Sequence, residues 1–135
     1  MVRLSQRFEF SASHRLHNPE ISDQANLELF GKCNNPLGHR HNYELEVTLR
    51  GPVDSTGRII EAAAFERIVQ EKVLERFDHK HLNLQTEEFK VNIPSVENIA
   101  KVIYGLLKAE FAALNVTLAA VTVWETSKTS AQYSE

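Results

Sequence analysis

Apolar and polar residues alternate at the start of the chain and predict a first strand over residues 3–16. The residues on one side of this segment are Phe8, Phe10, Ala12 and His14. Side chains two positions apart in a strand point to the same face of the sheet. The apolar stripe of the first strand therefore ends in an imidazole group.

The same alternation returns over residues 39–50 and predicts a second strand. One side of this segment carries His39, His41, Tyr43, Leu45, Val47 and Leu49. Two imidazole groups, those of His39 and His41, stand at the N-terminal end of this apolar stripe. Histidines that end two apolar stripes are what we expect of a buried metal site at the margin of a sheet.

Helical spacing of apolar residues predicts two helices in the second half of the chain. The first covers residues 62–77, and the second follows Ser95, whose hydroxyl suits an N-cap. Residues 117–126 are predicted to form another strand, and residues 131–133 a further short piece of structure.

The connecting segments carry less information. Residues 17–38 form a long irregular stretch with one helix-compatible turn at residues 24–30, and residues 58–61 are either a short strand or a lead into the first helix. The order β-β-α-α-β predicts one α+β domain over residues 1–135, in which two helices pack on one face of an antiparallel sheet.

Composition narrows the possible functions. The net charge of −3, without a run of basic residues, argues against a nucleic-acid partner. No segment reaches the length of a membrane span, and no signal peptide is recognisable at the start. The single cysteine cannot form a disulfide within the chain, which favours a cytoplasmic protein.

Three histidines suggest a zinc site. Catalytic zinc usually takes three protein ligands and leaves a fourth position open, and His14, His39 and His41 supply that number. An H-x-H pair alone is a weak signal, because such pairs arise by chance. The alternative is that these rings form ordinary hydrogen bonds at the sheet margin, and spacing alone leaves both possibilities open.

Cys33 has three interpretations. The first is a small buried apolar residue, and the second is a fourth zinc ligand that closes the site. The third is a nucleophile or base beside an open metal site. The polar loop around it, residues 31–36, argues against core packing. We favour the reactive interpretation, because a nearby lysine or metal ion would lower the pKa of the thiol.

Asp78 and His79 follow the first predicted helix directly. They form either a proton relay or a cap at the C-terminus of that helix, and the sequence leaves both open. His17 and His81 lack such a context, and we expect both to be solvated.

Two glutamates lie at the ends of elements. Glu125 continues the apolar face of the last predicted strand and therefore needs a partner, either a salt bridge or a guanidine-like ligand that donates two parallel N–H bonds. Glu97 lies in the first turn of the second helix, where the helix dipole favours a negative charge.

Five segments resemble the 6-pyruvoyl-tetrahydropterin synthase family, in the family's order and spacing over nearly the whole chain. They are FSASHRL (residues 10–16), CNNPLGHRHNY (33–43), DHKHLN (78–83), PSVEN (94–98) and WET (124–126). The resemblance implies a tunnelling fold (T-fold), in which the sheets of several subunits form a barrel. It also implies a homohexamer made of two trimers, with active sites between subunits.

The resemblance assigns roles to nine residues. Zinc is implied at His14, His39 and His41; acid/base chemistry at Cys33, Asp78 and His79; and pterin binding at Glu125, Glu97 and Ser95. The implied reaction converts 7,8-dihydroneopterin triphosphate into 6-pyruvoyl-tetrahydropterin and releases triphosphate, in a pathway of the tetrahydrobiopterin type.

Two alternatives accompany this reading. The first is 6-carboxy-tetrahydropterin synthase of queuosine biosynthesis, which uses the same substrate and zinc but releases acetaldehyde and triphosphate. The five residues between Cys33 and His39 resemble the pyruvoyl type more. The second is a non-catalytic protein, either a pterin-binding module or a structural zinc protein in which Cys33 is a metal ligand.

Overall fold

The computed structural model describes all 135 residues, and its framework is a mixed five-stranded sheet. The strands are β1 (Val2–His14), β2 (His39–Gly51), β3 (Lys80–His81), β4 (Thr117–Trp124) and β5 (Ser130–Tyr133). Their order across the sheet is β3-β1-β2-β4-β5. The first two predicted strands, the last predicted strand and the short C-terminal piece are confirmed.

Helices cover one face of this sheet. The chain forms five helices: α1 (Asp23–Phe30), α2 (Ala62–Val69), α3 (Glu75–Phe77), α4 (Leu82–Gln85) and α5 (Val96–Ala112). Most of the helical residues that pack against the sheet belong to α2 and α5. A π-helical turn, Gln70–Leu74, joins α2 to α3, so the helix predicted over residues 62–77 is confirmed with an irregular centre. No helix combines the length and the apolar composition that crossing a membrane requires.

The prediction of a purely antiparallel sheet is wrong at one edge. β3 pairs in parallel with Ala12 and Ser13 of β1, which makes the sheet mixed. A two-residue strand is too short to produce an alternating pattern in the sequence. Residues 58–61 form no strand, and a 3₁₀ turn, Gly31–Asn34, extends the helical part of the long connection after α1.

The apolar stripes of β1, β2 and β4 pack against α2 and α5 in a cluster of 25 buried residues. Phe10 and Ala12 belong to it, as does Tyr43, while the alternate residues of the same strands face the other side. The helix-covered face is therefore the apolar face that the alternation predicts.

The register of β1 and β2 decides where the three histidines meet. His14 lies directly opposite His39, and Ala12 lies opposite His41. Because these four residues share the helix-covered face, the imidazole rings gather at one end of that face. The small side chain of Ala12 leaves room for the ring of His41 across the strand pair.

Candidate functional site

Five of the predicted site residues converge at this end of the sheet: His14, Cys33, His39, His41 and Glu125. Nδ1 of His39 lies 3.0 Å from Nε2 of His41, and Sγ of Cys33 lies 3.9 Å from each of these nitrogens. Oε1 of Glu125 lies 3.3 Å from Nε2 of His14 and 3.3 Å from Nε2 of His41. Four of the residues, all except His39, hold one potential ligand atom each within 4.8 Å of the others.

The tautomer of His14 is determined by its surroundings. Nδ1 lies 2.8 Å from the carbonyl oxygen of Pro94, which can only accept a hydrogen bond, so Nδ1 carries the proton. The hydroxyl oxygen of Tyr43 lies 3.1 Å from the same nitrogen. Nε2 is consequently left with its lone pair directed into the cluster, as in metal-binding histidines whose other nitrogen is hydrogen-bonded.

Two buried acceptor atoms face each other without a hydrogen bond. Nε2 of His14 and Oε1 of Glu125 are both inaccessible to solvent and both lack a hydrogen-bond partner. A lone pair facing a carboxylate oxygen at 3.3 Å is unfavourable unless a proton or a cation lies between them. The donor set of imidazoles, thiol and carboxylate suits a transition metal ion, and the residues therefore fit a metal.

The surroundings of His41 and Glu125 favour the neutral imidazole and the ionised carboxylate, which are the forms that bind a metal ion. Burial lowers the pKa of His41, and the neighbouring rings of His14 and His39 lower it further against the opposing effect of Glu125, so its imidazole tends to be neutral. A proton held between the ring of His14 and Glu125 lowers the pKa of the carboxyl group more than burial raises it, so Glu125 stays ionised when a positive charge lies between the two groups.

The pKa of Cys33 is shifted in the direction opposite to the one expected from the sequence. Burial raises the pKa of its thiol, and the negative charge of Glu125 raises it further. The protein on its own thus favours the protonated thiol, whereas the sequence suggested a lowered pKa through a nearby lysine or metal. Lys32 precedes Cys33 in the chain, but its charge does not outweigh burial and Glu125.

Main-chain and side-chain hydrogen bonds fix the loop that carries Cys33. The carbonyl oxygen of Cys33 accepts a hydrogen bond from the backbone N–H of Leu16 at 2.7 Å, and the amide of Asn34 donates to the carbonyl of Leu16 at 2.8 Å. This pairing docks the loop beside the end of β1. The thiol is therefore held next to the histidines by backbone geometry.

Gly38 lets the chain enter β2 beside His81. Its φ is +83°, and a Cβ atom at this position would lie 2.7 Å from Nε2 of His81. Both histidines that the sequence suggested to be solvated are half-buried: Nδ1 of His81 has no solvent contact, and Nδ1 of His17 lies 3.0 Å from the amide nitrogen of Asn34. The expectation of solvation fails because both rings pack against the Cys33 loop.

Ser95 and Glu97 follow Pro94 in the chain, but their side chains do not belong to the cluster. The hydroxyl of Ser95 caps α5 by accepting a hydrogen bond from the N–H of Asn98 at 3.2 Å. Glu97 is exposed in the first turn of the helix. The segment nevertheless contacts the site through the carbonyl of Pro94, which precedes Ser95.

Asp78 and His79 are not brought to the cluster. Asp78 follows the end of α3, and its Oδ1 accepts a hydrogen bond from the N–H of Ser11 at 2.9 Å. It lines a cavity of about 410 Å³ with the polar residues Glu9 and Glu44, on the face of the sheet opposite the helices. The His79 side chain is 77% exposed, and its backbone has the unusual φ of 61°.

Comparison with known proteins agrees with the geometry. Residues 3–135 match the family described as 6-pyruvoyl tetrahydropterin synthase. The chain belongs to this family. It is similar to the 6-pyruvoyl tetrahydrobiopterin synthase of Drosophila melanogaster, with 39% identity over 96% of this chain and 77% of the relative. The enzyme of the same name from Homo sapiens is 41% identical over 79% of this chain and 74% of the relative.

A solved structure within the family supports the fold. The 6-pyruvoyl tetrahydropterin synthase of Caenorhabditis elegans aligns with a TM-score of 0.91 and 38% identity, and the match covers 99% of this chain and 95% of that one. The arrangement of one mixed sheet with helices on one face is therefore the arrangement of this synthase family.

The sequence did not reveal the residues that hold His14 and the Cys33 loop in position. Pro94 acts through its carbonyl oxygen on His14, and Asn34 ties the Cys33 loop to β1. Tyr43 was identified only as a member of an apolar stripe, although its hydroxyl reaches His14. Only the position of Tyr43 two residues after His41 gave a signal, because residues two apart share a face.

Proposed function

We propose that this chain is a zinc-dependent lyase that converts 7,8-dihydroneopterin triphosphate into 6-pyruvoyl-tetrahydropterin and triphosphate. Membership of the synthase family supports the proposal. The observation that carries it is the buried Nε2 of His14, whose tautomer leaves a lone pair among converging ligand atoms. No redox cofactor is required, because the pterin ring is reduced while the side chain is oxidised.

Zinc is proposed to be held by His14, His39 and His41. When bound, it would polarise the hydroxyl oxygens of the substrate side chain and lower their pKa. The hydrogen bond from His14 to Pro94 supports His14 as a ligand, because it orients the ring and fixes the required tautomer. The 3.0 Å between Nδ1 of His39 and Nε2 of His41 supports the other two.

The proposed pterin anchor is Glu125. Its pKa is lowered by the imidazoles around it, so it remains a carboxylate that can accept two N–H bonds from the aminopyrimidine edge. Ser95 and Glu97 are proposed to belong to the wall of the same pocket. The contact of the preceding Pro94 with His14 supports this placement.

Cys33 is proposed to take a proton from the substrate side chain. Its thiol lies 3.9 Å from two of the imidazoles, close enough to reach a substrate bound there. Burial and Glu125 raise the pKa of this thiol, so a nearby positive charge is needed to favour the thiolate. Asp78 and His79 are proposed to move the remaining protons.

Asp78 and His79 require a second copy of the chain if they are to act with Cys33, because neither belongs to the cluster of ligand atoms around the thiol and both are docked on Ser11 of β1. Free strand edges support such an assembly: β3 covers β1 only at Ala12 and Ser13, and the outer edge of β5 is unpaired. We propose a hexamer of two trimers, in which the sheets join into a barrel and the sites lie between subunits.

Mixing two inactive variants tests the shared site. Cys33→Ala and His79→Ala are each expected to lose about a hundredfold or more in turnover, the usual value of a positioned acid or base. After the two are mixed, dissociated and reassembled, a fraction of the sites should contain both intact residues, and activity should return well above that of either parent. The readout is the rate of product formation per chain.

The control is each variant dissociated and reassembled alone, which should stay inactive. Native mass spectrometry of differently labelled chains shows whether mixed oligomers form. If they form and activity does not return, the site is not shared between subunits. That outcome would place the acid/base residues within one chain.

Product analysis tests the reaction itself. Zinc-loaded protein incubated with 7,8-dihydroneopterin triphosphate is expected to yield 6-pyruvoyl-tetrahydropterin, identified by mass spectrometry under anaerobic conditions. Formation of 6-carboxy-tetrahydropterin and acetaldehyde would instead establish the queuosine-type reaction. Zinc-loaded protein that binds the pterin and forms no product would establish a binding module. A cytoplasmic location remains a prediction that rests on the single cysteine.

A further inference from the structure

A cavity of about 900 Å³ opens beside the candidate metal site, and none of the proposed acid/base residues lines it. Its polar and charged lining residues are Arg15, Asp23, Lys32, Asn34, Asn35 and His39. The volume lies within the range of ligand-binding pockets. Because His39 is one of the proposed zinc ligands, a group bound in this cavity would be next to the reacting part of the substrate.

Arg15 is held in place by its main chain and its side chain. Asn83 accepts a hydrogen bond from the N–H of Arg15 and donates one to its carbonyl, each at 2.8 Å. Nε of Arg15 donates to the carbonyl oxygen of Asn34 at 3.1 Å. The two terminal nitrogens of the guanidinium form no hydrogen bond or ion pair within the chain, so they are available to a ligand in a fixed orientation.

Lys32 provides a second positive charge on the same wall. It lies one residue before Cys33 and forms no ion pair within the chain. Asp23 is the only acidic residue of the lining, so positive charges exceed negative ones here, whereas the chain as a whole has a net charge of −3. Such a local reversal of sign attracts an anionic ligand.

We propose that this cavity binds the triphosphate group of the substrate, with Arg15 as a bidentate ligand of phosphate oxygens and Lys32 as a point charge. The identity of the ligand rests on the proposed function. Arginine matches the geometry of phosphate oxygens, and lysine adds charge without directional demand. Arg40 is not part of this subsite, because it donates to Ser11 on the opposite face of the sheet.

Inorganic triphosphate is the probe that tests the cavity without the pterin. Isothermal titration of zinc-loaded protein should show binding, weakened at least tenfold in Arg15→Gln and in Lys32→Gln. Lys128→Gln, which removes an equal charge in the turn between β4 and β5, should bind as wild type does. Zinc is measured before and after each titration, so that removal of the metal is not counted as binding.

The substrate supplies the second arm. Arg15→Gln and Lys32→Gln should raise the KM for dihydroneopterin triphosphate at least tenfold, while the product stays the same. Failure of wild type to bind inorganic triphosphate, or equal weakening in Lys128→Gln, would overturn the subsite. If Arg15→Gln fails to fold, the exposed Lys32 still decides the question.

The two proposals fail in different ways. Normal turnover with no dependence of KM on Arg15 or Lys32 would overturn the triphosphate subsite alone and leave the proposed reaction standing. Absence of turnover in wild type, together with triphosphate binding that depends on both residues, would overturn the proposed reaction and support the cavity as a polyphosphate site.

Discussion

Replacing His14 with alanine is expected to remove the zinc ion and to lower turnover by roughly 1,000-fold or more. Its ring is fully buried, and the hydrogen bond from Nδ1 to Pro94 commits Nε2 to the ligand cluster. Loss of metal assistance removes several kcal/mol of transition-state stabilisation, which corresponds to a factor of that size. The measurements are zinc per chain by elemental analysis and the rate of product formation.

A second histidine provides the matched control for metal content. His79→Ala should keep its zinc, because this side chain is 77% exposed and does not belong to the group of potential ligand atoms. His14→Gln, which preserves more of the buried volume, separates loss of the ligand from loss of packing and should also lack zinc. One zinc ion per chain in folded His14→Ala would rule out this residue as a ligand.

Much of the candidate metal site could be predicted because side chains along a strand alternate between the two faces of the sheet. The alternation in β1 and β2 placed His14, His39 and His41 at the ends of apolar stripes, and the observed register brings His14 opposite His39. A shift of that register by one residue would have turned one set of rings to the opposite face. The stripe of β4 likewise led to Glu125, which the structure turns towards the imidazoles.

The remaining parts of the site depend on contacts without a periodic signature. The carbonyl of Pro94 and the amide of Asn34 act from irregular segments, where neither the direction of a backbone group nor the partner it meets follows from residue type. The same limit applies to β3, which consists of two residues only.

The position of Asp78 and His79 shows a different limit. The sequence places them directly after a helix, and residue type suggests a proton relay. Their actual position depends on Ser11, whose N–H binds Asp78 and whose carbonyl accepts a hydrogen bond from the N–H of His79. This docking keeps both residues out of the cluster that contains Cys33, so a joint role with the thiol requires the assembly proposed above.

Replacing Cys33 with alanine is expected to leave zinc and fold intact and to lower turnover by about 100- to 10,000-fold, the range for loss of a positioned base. The thiol is held beside the histidines by the hydrogen bond from Leu16 to the Cys33 carbonyl, which the substitution preserves. The imidazole ligands also remain. Zinc content, circular dichroism and turnover are measured on the same preparation.

Zinc content distinguishes the two functional roles of Cys33. A tetrahedral zinc site separates sulfur and nitrogen ligands by about 3.5 Å, given its usual bond lengths. The observed 3.9 Å from Sγ to His39 and His41 exceeds this separation by about 0.4 Å, so a small movement would make Cys33 a fourth ligand, while the observed position suits a base beside an open coordination position. If Cys33→Ala loses zinc along with activity, the site is closed and structural. If zinc stays and only turnover falls, the fourth position is free for substrate, and the thiol acts on it.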